Sequence, residues 1–115
     1  MLVENVPNLA WVFGYTNAPW TLKSDIAAKY LCRLFKQMDE RGHAVATPID
    51  VEGCATDVGM VDKLQSGYVQ RAKDTLPRQG SKAPWQVLMD YKRDSTMLLN
   101  DPIDDHLLRF DAQVA

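Results

Sequence analysis

The feature that most constrains the fold is an amphipathic helix pattern that begins at Leu22, directly after a polar turn. Apolar side chains recur there at spacings of three and four residues, which places them on one face of a helix. Thr21 or Ser24 is placed to cap the start of the helix, and Gly42 to end it. Asp25 complements the positive end of the helix dipole. The apolar positions are Leu22, Ile26, Ala27, Tyr30, Leu31, Leu34, Phe35 and Met38.

A nearly continuous apolar run precedes the turn. Asn8–Phe13 reads NLAWVF, which predicts a strand buried on both faces, as in the middle of an α/β sheet. Few later segments offer it a partner. Val45–Val51, reading VATPIDV, predicts a connector or an edge-type extended piece, and Leu107–Phe110 predicts a short terminal strand.

Two further helices are predicted in the second half. One covers Val61–Ala72, where Gly67 weakens the interior, and the other covers Pro84–Leu99, with Pro84 in its first turn. The sequence therefore predicts a mainly α chain with minor β, built from about three helices and one or two short strands. We expect residues 1–50 to form a strand, turn and helix, and residues 51–115 a helical extension, packed as one compact unit.

Composition excludes several classes of protein. The net charge of −2 lacks the basic excess typical of nucleic-acid-binding proteins. No stretch approaches the roughly 18 apolar residues that cross a bilayer, and the start, MLVENVPN, is unlike a signal peptide, so we expect a cytoplasmic protein. Cys32 and Cys54 are too few for a disulfide scaffold, and we expect Cys32 to be a buried thiol on the helix stripe. His43 and His106 lack metal-ligand spacing to a cysteine, so we expect no metal site.

The turn itself, FGYTNAPWTLKSD over Phe13–Asp25, carries more chemistry than a connection requires. Gly14 permits close backbone approach, and the surrounding hydroxyl, amide and aromatic side chains can contact a planar ligand. A helix N-terminus favours a phosphate, a carboxylate or an electron-rich ring edge. The alternative is that Thr21 only caps the helix, Pro19 stiffens the loop and Trp20 packs on the core. The pattern contains neither GxGxxG, nor the P-loop lysine, nor a nucleophile elbow, so spacing leaves both interpretations open.

Two blocks of sequence resemble a known family. VPNLAWVFGYTNAPWTLKSDIAAKYLCRLFKQMD and SGYVQRAKDTLPRQGSKAPW are similar to the C-terminal end of the class B flavoprotein monooxygenases, especially the ethionamide-activating Baeyer–Villiger type. The similarity runs from about Val3 to Phe110 and is weakest over Val51–Lys63. The family's glycine-rich FAD and NADPH fingerprints and its F-x-G-x-x-x-H signature lie upstream of the matched region and do not occur here. The resemblance implies a fragment of an FAD- and NADPH-dependent monooxygenase, or a stand-alone remnant of one.

The resemblance also implies a position for the turn. Asn8–Phe13 would be the last strand of the parallel sheet in an FAD-binding domain, and Gly14–Leu22 the turn that faces the isoalloxazine. The larger protein, here called the parent, would oxygenate ketones, sulfides or similar small organic molecules, whereas the isolated chain would be inactive and bind neither cofactor. No catalytic residue is implied. The implied cofactor contacts are Gly14, Tyr15, Thr16, Asn17, Trp20, Thr21 and Leu22.

Two polar groups of residues have no assigned role. Arg71, Arg78 and Lys82, together with the loop Gln79–Ser81, contact either a cofactor or solvent. The cluster Asp104–His106 follows a proline, which favours a turn over an acid/base site, and we assign it no catalytic role.

A non-enzymatic interpretation also stands. The strand Asn8–Phe13 would be an aggregation liability in isolation, which favours a free-standing helical module that self-associates or docks on another subunit. The expected partner is therefore either the remainder of an FAD-binding domain or a second copy of the chain. The start at Met1 is either natural or a truncation of a longer gene.

Overall fold

The computed structural model describes residues 1–103 and 106–112. Within them, helices and short antiparallel strand pairs confirm the predicted class, mainly α with minor β. Three helices are present, as predicted, whereas the strands number four rather than one or two. In order the elements are α1 (Trp20–Arg41), β1 (His43–Pro48), β2 (Ala55–Gly59), α2 (Gly67–Ala72), β3 (Arg78–Gly80), α3 (Tyr91–Asn100) and β4 (Leu108–Ala112).

The chain forms two compact units. The first combines Met1–Val51 with the residues from Met89 onward, and the second is Glu52–Leu88. The second unit is therefore an insertion in the sequence of the first. It follows β1, and the chain rejoins the first unit just before α3. The division at residue 50 into part of an FAD-binding domain and an extension concerns a larger protein and stays a prediction.

Helix α1 follows the apolar pattern that predicted it. Its buried positions are Ile26, Ala27, Leu34 and Met38. Gly42 ends the helix at φ 69°, a left-handed conformation that glycine adopts without steric cost, and its N–H bonds to the Met38 and Asp39 carbonyls. The predicted stop at Gly42 is confirmed.

The predicted cap of α1 is wrong. Pro19, not Thr21, occupies the N-cap position, and no side chain caps the helix. Pro19 has a φ of −58°, close to the helical value, so the helix starts at Trp20 and Thr21 already lies in its first turn. The Ser24 hydroxyl instead donates to the Trp20 carbonyl at 3.3 Å. Asp25 lies beyond the first turn and pairs with Lys29 one turn later at 2.9 Å.

The predicted burial of Cys32 is also wrong, because this thiol is exposed. Cys32 precedes the buried Leu34 by two residues, which places it roughly 200° around the helix, away from the apolar face. Cys54, in the second unit, is buried.

The core of the first unit lies between α1 and a two-stranded sheet. Strand β1 pairs with β4 antiparallel, with Ala46 opposite Phe110 and Pro48 opposite Leu108. The extended piece predicted in Val45–Val51 and the terminal strand predicted at Leu107–Phe110 are therefore both confirmed, as strands of one sheet. The cluster of buried side chains at its centre is Leu34, Met38, Ala46 and Ile103, covered by Tyr30, Leu31, Leu108 and Phe110.

The predicted strand over Asn8–Phe13 is wrong. Its only pairing among the described residues is an isolated bridge between Leu2 and Ala10, and Leu9 is 45% exposed. Asn8 has a φ of 55°, which breaks the extended run at its first residue. Its side chain instead binds β1, donating to the Ala44 carbonyl and accepting from the Ala46 N–H, both at 3.0 Å. Hydrogen bonds from one residue, Asn8, therefore hold this segment against β1, and no ladder of strand hydrogen bonds forms between them.

Helix α3 starts later than predicted. Residues 82–86 form a turn around Pro84, in which the Trp85 and Gln86 N–H groups bond to the Lys82 carbonyl. The helix begins after Asp90, whose carboxylate accepts from the Arg93 N–H at 3.1 Å and caps the first turn. Arg33 of α1 donates to carbonyls at the other end of α3, Leu98 and Asp101, each at 2.6 Å. These contacts join α3 to α1.

The second unit is organised around the β2–β3 pair, which the sequence did not predict. Gln79 crosslinks the pair, since its side chain donates to the Gly59 carbonyl and accepts from the Val87 N–H. Helix α2 is shorter than predicted, because the Asp62 carboxylate accepts from the Gly59 N–H at 2.9 Å and closes a turn where helix was expected. Gly67 begins the helix instead of interrupting it.

Candidate functional site

The turn before α1 is covered by aromatic side chains whose rings pack at a tilt to one another. The ring centroids of Trp11 and Phe13 lie 6.3 Å apart, and those of Phe13 and Trp20 lie 5.3 Å apart. A Cβ added at Gly14 would collide with the Trp20 indole, so only glycine permits this close approach of ring and backbone. Trp20 is nevertheless 53% exposed, which leaves much of the indole accessible.

Beneath the turn lies a buried polar cluster that connects it to α3. The Tyr15 hydroxyl donates to Asp94 Oδ2 at 2.5 Å, and the Lys23 ammonium binds the same oxygen. Tyr15 and Asp94 are each 2% exposed. Tyr91 packs edge-on against the Tyr15 ring at 6.1 Å, and the Lys23 Nζ lies 5.8 Å from the centroid of that ring. We call Tyr15, Lys23 and Asp94 the Asp94 network.

The environment of the network keeps Tyr15 protonated. Burial raises the pKa of Tyr15 far above its ordinary value, and the hydrogen bond to Asp94 and the charge of that carboxylate act in the same direction, with smaller contributions from Tyr91 and Asp90. Tyr15 is therefore a permanent hydrogen-bond donor to Asp94 over the physiological range. Burial also lowers the pKa of the Met1 ammonium, with Lys23 acting in the same direction and Asp94 against it.

The structure separates the seven predicted contact residues into two groups. Gly14 and Tyr15 are buried, Leu22 is half-buried, and the exposed Asn17 donates through its side-chain amide to the Met89 carbonyl at 2.9 Å. These residues anchor the turn. The other group lies at the surface, where a ligand can reach it: Thr16, Trp20 and Thr21.

Sequence reasoning missed Lys23 and Asp94. Neither belongs to a motif, and Asp94 lies in the first turn of a helix whose start was misplaced. The available signal was the presence of one carboxylate near the apolar positions of α3, where a charge stays buried only if it is paired.

Of the other polar residues singled out in the sequence, two basic side chains form ion pairs at the surface. Arg78 pairs with Asp57 at 2.5 Å, and Lys82 with Glu52. Arg71 is exposed on α2. Asp104 and Asp105 lie outside the described residues, and their neighbour His106 is exposed with a φ of 66°.

A groove of about 710 Å³ opens between α1, β1 and the N-terminal segment of the first unit. Its lining is mostly apolar and includes Leu9 and Phe35, which are 45% and 56% exposed. His43 also lines it. The His43 ring stacks on Phe110 at 5.1 Å, and its buried Nδ1 has no hydrogen-bond partner among residues 1–103 and 106–112. A groove with this lining is a surface that another apolar group can cover.

The described residues contain neither a metal-binding cluster nor a membrane-spanning helix. No cluster of three or more His, Cys, Asp or Glu side chains in residues 1–103 and 106–112 has the arrangement of a metal site. Over the same ranges, none of the helices has the length and apolarity needed to span a membrane.

Comparison with known proteins gives a consistent group of relatives. The chain is 62% identical over 112 residues to a protein described as FAD-containing monooxygenase MymA of Mycobacterium tuberculosis, a match that covers 97% of this chain and 23% of that protein. It is 43% identical over 114 residues to FAD-binding monooxygenase AlmA of Acinetobacter baylyi, covering 96% of this chain and 22% of AlmA. Identity to FAD-containing monooxygenase EthA of Mycobacterium tuberculosis is 38% over 110 residues, covering 96% of this chain and 22% of EthA.

No family model and no solved structure matches the chain. The chain spans less than a quarter of the length of the curated relatives it matches. Identity of 62% over nearly the whole chain nevertheless leaves no doubt about homology. By sequence, the chain is therefore homologous to one segment of proteins described as FAD-containing or FAD-binding monooxygenases.

Proposed function

We propose that this chain is a C-terminal segment of an FAD- and NADPH-dependent monooxygenase and that its turn Gly14–Leu22 contributes to the flavin site. The observation that carries the proposal is the 62% identity to MymA, a protein described as FAD-containing. The parent would act on ketones, sulfides or similar small organic molecules in the cytoplasm. The chain alone would be inactive, because a single turn and helix do not enclose a dinucleotide.

The residues of the turn fit a flavin edge. No side chain caps α1 and no acidic residue lies in its first turn, so the positive end of the helix dipole is available to an electron-rich group. The exposed Thr16 and Thr21 hydroxyls supply hydrogen bonds, and the half-exposed Trp20 indole supplies a flat surface. When bound, FAD would supply the redox chemistry.

The residues of the turn would then fall into two roles, contact with the flavin and support of the turn. Thr16, Trp20 and Thr21 would orient the flavin and exclude water from its edge, while Gly14, Tyr15, Asn17 and Leu22 would hold the turn in shape. Supporting this division, Asn17 already donates to the Met89 carbonyl and Tyr15 to Asp94, so their polar groups are engaged within the chain.

An exchange protein tests the proposal with this chain's own residues. The 112 matched residues of MymA would be replaced by the corresponding residues of this chain, and the purified protein examined for bound FAD. We expect one FAD per protein and NADPH oxidation. A folded exchange protein that retains no FAD would contradict the proposal.

A matched pair of variants in the exchange protein tests the turn itself. Thr21→Val removes one exposed hydroxyl, and we expect FAD to bind about 2- to 10-fold more weakly, the range for one hydrogen bond. Thr96→Val removes an exposed threonine hydroxyl from α3 and serves as the control. Equal FAD affinity in the two variants would remove Thr21 from the site.

The partner of the chain follows from the groove. We propose that the remainder of the parent polypeptide covers the apolar groove, because the relatives are more than four times longer than the matched segment and Leu9 and Phe35 are exposed here. The alternative is a free-standing module that docks a second copy on the same groove. Sedimentation of the 13.0 kDa chain distinguishes the two, since a monomer at high concentration excludes the second copy.

A further inference from the structure

The Asp94 network closes the turn from both ends. Tyr15 lies immediately after Gly14, at the start of the turn, and Lys23 follows Leu22, at its end. Both side chains donate to the same oxygen, Asp94 Oδ2, from α3. One carboxylate, 71 and 79 residues away in sequence, therefore holds both ends of the segment.

The side chains of the Asp94 network are much less exposed than those of the ion pairs at the protein surface. The side chains of Lys23 and Asp94 are 13% and 3% exposed. In the exposed Asp25–Lys29 pair on the same helix, both side chains are 58% exposed. The loss of hydration on burying two charges roughly cancels the attraction between them, so a buried ion pair adds little net stability. Such a pair is better explained by the geometry that it specifies.

The remaining contacts of the turn reinforce this geometry. Asn17 donates to the Met89 carbonyl, one residue before the Asp90 cap of α3. The turn is thus fastened to the beginning of α3 at its middle and to Asp94 at its two ends. The exposed side chains Thr16 and Trp20 lie between these fastening points and make none of the hydrogen bonds to α3 themselves.

We propose that Asp94 is a positioning residue for the flavin-facing turn, acting through Tyr15 and Lys23 and touching no cofactor itself. The inference rests on the proposed function for its bearing on flavin. Its structural content, that one carboxylate on α3 sets the conformation of residues 14–22, stands independently and is measured separately below.

The test compares Asp94→Asn with Asp25→Asn in the exchange protein. Both changes remove one carboxylate charge from an ion pair involving α1, and only the first is in the network. We expect Asp94→Asn to weaken FAD binding by about tenfold or more and to shift the flavin absorption bands, because the loss leaves a charged donor unpaired under the turn. Asp25→Asn should match the unaltered protein. Equal affinity and equal spectra for the two variants would overturn the inference.

A second variant, Tyr15→Phe, keeps the inference testable if the Asp94→Asn protein misfolds. Tyr15→Phe removes one hydroxyl and keeps the ring packed on Tyr91. We expect the same spectral shift with a smaller, several-fold loss of affinity. An unchanged flavin spectrum in a folded Tyr15→Phe protein would also count against Asp94 acting through Tyr15.

Amide hydrogen exchange measures the effect of Asp94 on the turn without any bound FAD. If the unaltered exchange protein binds no FAD, amide hydrogen exchange in the 115-residue chain decides the positioning role alone. Faster exchange across residues 14–22 in Asp94→Asn but not in Asp25→Asn supports it. The same exchange rates in both variants refute it.

Discussion

Replacement of Gly14 by alanine tests how closely the turn packs beneath Trp20. A Cβ at this position would overlap the Cγ, Cδ1 and Cδ2 atoms of the indole. Because Cγ is attached directly to the Trp20 Cβ, the ring cannot clear the new methyl group by rotating its far end. Overpacking costs about 1–3 kcal/mol, and the 53% exposure of Trp20 gives the ring room to leave, so we expect about 1–2 kcal/mol of destabilisation.

Urea unfolding followed by circular dichroism measures this loss. For a chain of this length the same change lowers Tm by roughly 3–10 °C. Adding Trp20→Ala should remove most of the effect of Gly14→Ala, since the clash partner is gone. Gly67→Ala is the control, because its nearest neighbour is the mobile end of Arg71 at 3.3 Å. A Gly14→Ala chain as stable as the Gly67→Ala chain, or a double variant showing the full loss, would refute the packing argument.

Three further predictions follow from contacts elsewhere in the chain. Asp90→Ala removes the cap of α3 and should cost about 1 kcal/mol, with faster amide exchange in the first turn of α3; unchanged exchange there would exclude the cap. Because the pKa of Tyr15 is raised in the fold, its contribution to stability is complete below the ordinary tyrosine pKa of about 10 and declines as pH rises above it. Urea midpoints measured against pH should therefore fall less steeply in Tyr15→Phe, and identical slopes would contradict the assignment. A thiol reagent should label Cys32 in the folded chain and Cys54 only in urea, as mass spectrometry of peptides can show; equal labelling rates would contradict the burial of Cys54.

Helix α1 could be predicted because its pattern is local. The buried residues Ile26, Leu34 and Met38 recur at helical spacing, and Gly42 ends the helix by its own backbone preference. The start was misplaced because Pro19 took the N-cap position without a side-chain bond, which no pattern of polar residues reveals. Local patterns therefore set the type of this element better than its first residue.

The apolar run Asn8–Phe13 shows why the rest was harder to predict. Its composition suits a buried strand, but a strand needs a partner, and here the left-handed Asn8 and the ring contacts of Trp11, Phe13 and Trp20 organise the segment instead. In the candidate site, Gly14 and Trp20 were accessible from sequence because the turn is contiguous. Asp94 was not, since its pairing with Tyr15 depends on α3 folding back over α1.

The pairing of β1 with β4 makes folding of the first unit depend on a strand that follows β1 by roughly 60 to 70 residues. The paired residues His43 and Ala112 are roughly 70 residues apart in sequence, whereas Ala55 of β2 and Gly80 of β3 are roughly 25 apart. Closing the longer loop therefore costs about 1 kcal/mol more in conformational entropy. During synthesis the β1 edge stays unpaired until Leu108–Ala112 has left the ribosome, while β2 and β3 can already meet. We therefore expect Glu52–Leu88 to fold first. A chain shortened before Leu108 would leave the edge of β1 unpaired and prone to aggregation.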